Sequence, residues 1–106
     1  MERLVMRYTL QSLKMIKSFR HKGLQRFFET SSKAGIQATH ATKLRLQLAA
    51  LDQALKPDDL SAPSWALHPL NGDLKEHWAV TVNGNWRLVF AFEREDAVLV
   101  DYLDYH

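Results

Sequence analysis

The stretch that decides the fold is residues 77–92, HWAVTVNGNWRLVFAF, where the hydrophobic pattern takes a period of two. Apolar residues at 78, 80 and 82 precede the turn Asn83-Gly-Asn85, whose residues tolerate positive φ and form tight hairpins. The return strand has one apolar face, at 86, 88, 90 and 92, and places Arg87 on the other face. A charged turn at 93–96 and a third strand at 97–102 are predicted to follow.

Two helices are predicted before this sheet. Leu24, Phe27 and Phe28 have the spacing of one helical face, and Gly35 is the predicted stop. The second helix is predicted to end before Pro57, and its apolar stripe is Leu44, Leu48, Leu51 and Leu55. Because the apolar face of an antiparallel sheet needs a cover, the predicted class is α+β, with two N-terminal helices packed on a small antiparallel β-sheet.

Size and composition exclude several classes of protein. A chain of 106 residues that is 46% hydrophobic and 25% charged forms one compact domain with a modest core. Cysteine is absent, so neither disulfides nor thiolate metal sites hold the fold, and a reducing cytoplasm is the expected compartment. No run approaches the roughly 20 apolar residues that span a bilayer, so no membrane association is expected.

The charge is distributed unevenly along the chain. Residues 1–56 carry 11 Lys/Arg and three Asp/Glu, whereas residues 57–106 carry three Lys/Arg and nine Asp/Glu. Several basic residues lie off the apolar stripes of the helices and are candidate RNA contacts: Arg20, Lys22, Arg26 and Lys43. Composition alone equally allows ordinary solvated helix faces, and both interpretations stay open.

Histidines are the first candidates for acid and base groups, since imidazole titrates near neutrality. None of the five histidines forms an i, i+4 pair typical of zinc sites, and no carboxylate cluster offers a cage for a hard cation. No metal or other cofactor is therefore expected.

Four motifs carry a resemblance to a known family. They are residues 15–24 (MIKSFRHKGL), 67–73 (LHPLNGD), 85–87 (NWR) and 101–106 (DYLDYH). Together they resemble the HigB branch of the RelE/ParE superfamily over residues 15–106, which is the expected toxin domain. Residues 1–14 have no counterpart there and are interpreted as an N-terminal extension or a misassigned start.

The resemblance implies a RelE-like microbial ribonuclease fold and a toxin of a type II toxin–antitoxin system. It implies cleavage of mRNA in the A site of the 70S ribosome, which inhibits translation. The implied partner is a HigA-like helix-turn-helix antitoxin, through which alone the toxin would contact operator DNA.

The resemblance also assigns the site residues. The expected catalytic set is His68, Arg87, Asp104, Tyr105 and His106. The two histidines form an acid/base pair of open order, Arg87 contacts the phosphate, Asp104 orients a histidine, and Tyr105 stacks or donates a proton. The sequence departs from some relatives at Asn71, where they have a lysine, and Lys75 is the candidate substitute contact to RNA.

Two features complicate this assignment. In an extended strand Asp104 and His106 share a face while Tyr105 points away, so convergence requires a terminal bend. Arg87 is also compatible with a cross-strand ion pair to Asp101 or Asp104.

Two other functions remain as alternatives. The first is a non-enzymatic gyrase inhibitor resembling the ParE branch, which generally lacks the terminal Tyr-His and the paired histidine. The second is an inactive module that binds RNA or antitoxin.

Overall fold

The computed structural model describes residues 16–105, which form two α-helices followed by a four-stranded antiparallel sheet. The helices are α1 (Lys22–Thr30) and α2 (Ala41–Gln53). The strands, which lie in sequence order in the sheet, are β1 (His68–Pro69), β2 (Trp78–Asn83), β3 (Trp86–Glu93) and β4 (Asp96–Asp104). The predicted α+β class is confirmed. The predicted extension at 1–14 and His106 lie outside the described residues.

Helix α1 is held at both ends by local hydrogen bonds. The Leu24 N–H donates to Nδ1 of His21 at 2.9 Å, and Ser31, in the left-handed conformation, caps the last turn through its own N–H. The helix therefore ends at Thr30, and the prediction that Gly35 stops it is wrong. Gly35 instead packs against Gly23, where an added Cβ would lie 2.7 Å from the Gly35 carbonyl oxygen.

Helix α2 buries the predicted stripe as far as Leu51 and ends at Gln53. The prediction that Leu55 continues the stripe is wrong, because Leu55 lies beyond the helix and is 48% exposed. Ala54 is extended and buried, and Pro57 begins a 3₁₀ turn that buries Leu60. Proline fits the first turn of a helix because its missing N–H would have no partner there.

The hairpin between β2 and β3 forms as predicted, with Gly84 at φ +54° in the turn. The third predicted strand, expected to run on toward the terminus, also forms, as β4, which extends to Asp104. The short strand β1 was not predicted; it adds His68 and Pro69 to the sheet by pairing them with Ala79 and Trp78.

The two faces of the sheet have different roles. On the covered face, the central side chains pack with α1 and α2 in the core: Val80, Val82, Leu88, Phe90, Val100 and Tyr102. Gln47 of α2, which is fully buried, fixes the helix to this face by donating from Nε2 to the Thr81 carbonyl at 2.8 Å. The opposite face, here called the site face, has the alternate residues, among them Arg87 and Leu103, which pair with each other.

Residues 16–20 lie along the outer edge of β4. Ile16 and Phe19 form parallel bridges with Ala97 and Val100, and the Leu99 N–H donates to Ser18 Oγ at 2.8 Å. This segment therefore pairs with the edge of the sheet through isolated bridges rather than as a full strand. Neither helix found between residues 16 and 105 is long and apolar enough to cross a membrane.

Candidate active site

Arg87 stands at the start of β3 on the site face, where the hairpin backbone holds its guanidinium. One terminal nitrogen, Nη1, donates to the carbonyls of Gly84 at 2.7 Å and Trp86 at 3.1 Å. Nε of the same side chain is buried and has no hydrogen-bond partner. A buried donor without a partner costs free energy, so this nitrogen is a source of strain in the free protein.

Tyr105 follows the last residue of β4 and continues its pairing with the hairpin. Its N–H donates to the Asn85 carbonyl at 2.8 Å. The Arg87 Cζ atom lies 5.8 Å from the centre of the Tyr105 ring, a distance at which the ring face attracts the cation. Tyr105 is thus positioned beside the predicted phosphate contact.

His68 reaches the same face through β1. Its partner in the register is Ala79, which in turn pairs with Val89, two residues beyond Arg87 on β3. With strands about 4.8 Å apart and about 3.4 Å of rise per residue, the register puts the Cα atoms of His68 and Arg87 roughly 12 Å apart.

The hydrogen bond of His68 fixes its tautomer. Nδ1 lies 2.9 Å from the Ala66 carbonyl oxygen, which can only accept, so Nδ1 carries the proton in the neutral ring. Nε2 then has a free lone pair, which suits a general base; when it is protonated, the same nitrogen suits a general acid.

Asp104 is not brought to this group by the strand geometry. It pairs with Trp86 and so lies on the covered side, whereas Tyr105 lies with Arg87. The predicted alternation of Asp104 and Tyr105 is therefore observed, and no bend between them brings both to one face. His106, which lies outside the described residues, keeps its role as a prediction.

The predicted RNA-binding residues lie apart from the site face. Arg20, Lys22 and Arg26 are exposed at or beside α1, and Lys43 is half-buried on α2, so these four belong to the helical layer. Lys75 is exposed in the loop between β1 and β2. The helical layer also has an apolar groove of about 230 Å³ between α1 and α2, whose rim includes Arg45 over the Phe27 ring.

A group of aromatic residues under the hairpin was not identified as functional from the sequence. Nδ1 of His40 lies 2.6 Å from the Tyr102 hydroxyl, and Trp86 stacks on the Tyr102 ring at 4.5 Å. Both members of the hydrogen bond are buried, at 5% and 3% exposure. Burial lowers the pKa of His40 and raises the pKa of Tyr102, because it disfavours the charged form of each.

Two further groups affect the pKa of Tyr102. The backbone N–H of Gln37 donates to its hydroxyl, which acts to lower the pKa of Tyr102, and the charge of Asp104 acts to raise it. The sequence signal for this aromatic group was the alternation that puts Trp86 and Tyr102 on apolar strand faces. The sequence did not indicate the contact of Tyr102 with His40, because the two residues are 62 positions apart.

No three His, Asp or Glu side chains come together as a possible metal site anywhere in the described part of the chain.

Comparison with known proteins identifies the family. The chain matches the HigB-like toxins, described as RelE-like toxins of the type II toxin–antitoxin system HigB, over residues 17–106. It is also 41% identical over 92 residues to the endoribonuclease HigB of Proteus vulgaris, an alignment that covers 87% of this chain and 100% of the relative. The four sequence motifs at 15–24, 67–73, 85–87 and 101–106 resemble this same family. The chain belongs to the HigB-like family of RelE-like toxins of type II toxin–antitoxin systems.

Proposed function

We propose that this toxin is a ribosome-dependent endoribonuclease that cleaves mRNA in the A site of the 70S ribosome without a metal ion. The observation that carries the proposal is the fixed guanidinium of Arg87, which has a buried unpartnered Nε and lies against the Tyr105 ring. His68 lies on the same face of the sheet. The name of the Proteus vulgaris relative supports endoribonuclease activity.

The chemistry follows from these groups. A base removes the 2′-OH proton, the 2′-oxygen attacks phosphorus, and the bond from phosphorus to the 5′-oxygen breaks as an acid protonates that oxygen. The products are a 2′,3′-cyclic phosphate and a 5′-hydroxyl. Nε2 of His68 serves as one member of the acid/base pair and His106 as the other.

Arg87 supplies the cation in this scheme. Its guanidinium is held before substrate arrives, so it stabilises the negative charge of the phosphorane with little reorganisation. Tyr105 holds the guanidinium from one side and stacks beside the substrate. Asp104 acts from the covered side, through the end of β4, to orient the terminal histidine.

A toxin of a type II system has an antitoxin partner, and we propose a HigA-like helix-turn-helix protein that alone contacts operator DNA. The toxin acts in the cytoplasm, where its ribosome-bound substrate is found. Residues 15–106 form the proposed toxin domain. The basic residues of the helical layer and Lys75 serve to attract RNA through charge.

The test is cleavage of a translated message on 70S ribosomes, mapped by primer extension. Wild type is expected to cut within the A-site codon, and His106→Ala and Arg87→Ala are expected to lose the cut. The matched control is Arg94→Asn, in an exposed turn at φ +59°, a conformation that asparagine tolerates. Intact messages together with inhibition of DNA gyrase would instead support the ParE-like alternative, and inactivity in both assays would support the binding module.

A further inference from the structure

The hydrogen bond between His40 and Tyr102 has a defined direction. The Gln37 N–H donates to the Tyr102 oxygen at 3.3 Å, which leaves the hydroxyl proton of Tyr102 for Nδ1 of His40. Neutral His40 then carries its own proton on Nε2. The bond joins the start of α2 to the last three residues of β4, two elements that are distant in sequence.

This bond lies directly beneath the predicted phosphate contact. Trp86 stacks on Tyr102 and also meets the His40 ring edge-on at 5.7 Å. The Trp86 carbonyl is one of the two acceptors that hold the guanidinium of Arg87. A shift of Tyr102 or Trp86 would therefore move the anchor of Arg87, although neither ring lies on the site face.

We infer that His40 and Tyr102 are positioning residues, whose buried hydrogen bond fixes Trp86 and thereby the guanidinium of Arg87. The inference rests on the proposed endoribonuclease activity. It adds a requirement that the catalytic set does not contain, namely that His40 is neutral, because a proton on Nδ1 would remove the acceptor of the Tyr102 hydroxyl proton.

The charged and titratable groups around His40 come from β4 and from the start of α1. Tyr102 and Asp104 belong to β4, and Asp104 acts on the pKa of Tyr102. His21, at the start of α1, meets the Tyr102 ring edge-on at 5.3 Å. If His40 were protonated, its charge would lie beside the Tyr102 phenol and the aromatic rings packed around it, in a buried part of the molecule.

The first test measures kcat and KM for cleavage by Tyr102→Phe, which retains the ring and removes the hydroxyl. Loss of one buried hydrogen bond is expected to lower kcat by about threefold to tenfold, with KM little changed. The control is Ile16→Val, a small truncation of a core residue at the other end of β4, which is expected to leave kcat unchanged. Equal kcat values for Tyr102→Phe and wild type would overturn the inference.

The second test separates positioning from a general effect on stability. His40→Asn places a neutral acceptor near the position of Nδ1, and His40→Leu does not. The His40→Asn variant is expected to have a higher kcat than His40→Leu, although lower than wild type. Because asparagine does not titrate, the contribution of His40 to the fall in kcat at acid pH is expected to be absent from His40→Asn. The same kcat and pH profile for both variants would contradict a role for the bond.

The third test needs no activity. In a pH titration of the wild type followed by NMR, the chemical shifts of the Trp86 indole N–H and the Tyr105 amide are expected to change over the same pH range in which His40 titrates. The chemical shift of the Ala79 amide is expected to stay constant over that range. If wild type fails to cleave RNA, the proposed function falls, and this titration still decides whether His40 acts on the hairpin. If the chemical shifts of Trp86 and Tyr105 do not change as His40 titrates, the inference is overturned.

Discussion

Arg87 and Leu88 are neighbours on β3 with opposite surroundings. Leu88 is fully buried on the covered face, where it pairs with Val80 and Tyr102. Arg87 is half-buried on the site face and keeps an unpartnered nitrogen. Burial of a leucine side chain contributes about 1.5–3 kcal/mol to folding, whereas a buried unsatisfied donor costs about 1–3 kcal/mol. At these two neighbouring positions, the Leu88 side chain thus stabilises the fold, whereas the Nε of Arg87 costs stability.

The largest expected effect is on the site face. Arg87→Ala should lower the rate of the proposed ribosome-dependent cleavage by about 10²- to 10³-fold, because a preorganised donor to the transition state is removed. The melting temperature should change little, because removal of the unpartnered Nε offsets the loss of the Nη1 hydrogen bonds to Gly84 and Trp86. Single-turnover kinetics and a thermal scan measure both, with Arg94→Asn as the control. A large fall in stability with normal cleavage would reverse the roles assigned to the two faces.

The neighbouring residue should give the opposite result. Leu88→Ala should lower the free energy of unfolding by about 2–5 kcal/mol through the cavity it leaves in the core. Cleavage per folded molecule should stay near that of wild type. Urea denaturation gives the stability, and Leu55→Ala, at a 48% exposed position, is the control expected to change it by less than about 0.5 kcal/mol.

A smaller loss is expected where α1 meets the loop that follows it. Gly23→Ala would bring a Cβ within 2.7 Å of the Gly35 carbonyl oxygen, so the backbone must shift, at a cost of about 1–3 kcal/mol. Lys22→Ala, at the exposed preceding residue, serves as the control in the same denaturation experiment. Equal stability of the two variants would show that the close approach of the glycines is dispensable.

The covered face should also respond to pH. Burial lowers the pKa of His40 below its usual value of 6.5, so the unfolded chain binds a proton more readily than the folded one. This contribution to stability is present above pH 6.5 and is lost as pH falls from 6.5 through the lowered pKa. Urea denaturation at pH 8 and pH 5 should show a smaller drop for His40→Asn than for wild type; equal drops would exclude His40 as the cause.

The smallest effect is expected on the helical layer. Arg26→Gln should weaken binding of RNA modestly and reduce the slope of log K against log salt by less than about one, because the residue acts through charge alone. The rate constant at saturating substrate should be unchanged. A fall in that constant as large as for Arg87→Ala would mean that the helical layer takes part in catalysis.

The parts of the fold that follow local rules could be predicted from the sequence. The hairpin at Gly84 and the helical stripe through Leu51 depend on neighbours in the chain, and both were confirmed. Local rules failed at Gly35 and Leu55, because Gly35 meets Gly23 across a loop and α2 ends before Leu55 is reached. Strand β1 was missed because two residues are too few to show a period.

The site was predicted through the family motifs rather than through local pattern. Alternation along β3 and β4 correctly separated Arg87 from Leu88 and Tyr105 from Asp104. The bond between His40 and Tyr102 could not be predicted, since His40 stands in no motif, the motif at 101–106 assigned no role to Tyr102, and the contact depends on the packing of α2 against the sheet. The roles of His68 and His106 remain predictions.

The bridges that join Ile16 and Phe19 to β4 also bear on the order of folding. The hydrogen bond from Leu99 to Ser18 spans 81 residues, and contacts of such long range form late, because a large loop must close first. During synthesis this closure has to wait until β4 has left the ribosome. The edge of the sheet formed by residues 16–20 and β4 is therefore completed only after β4 has been synthesised.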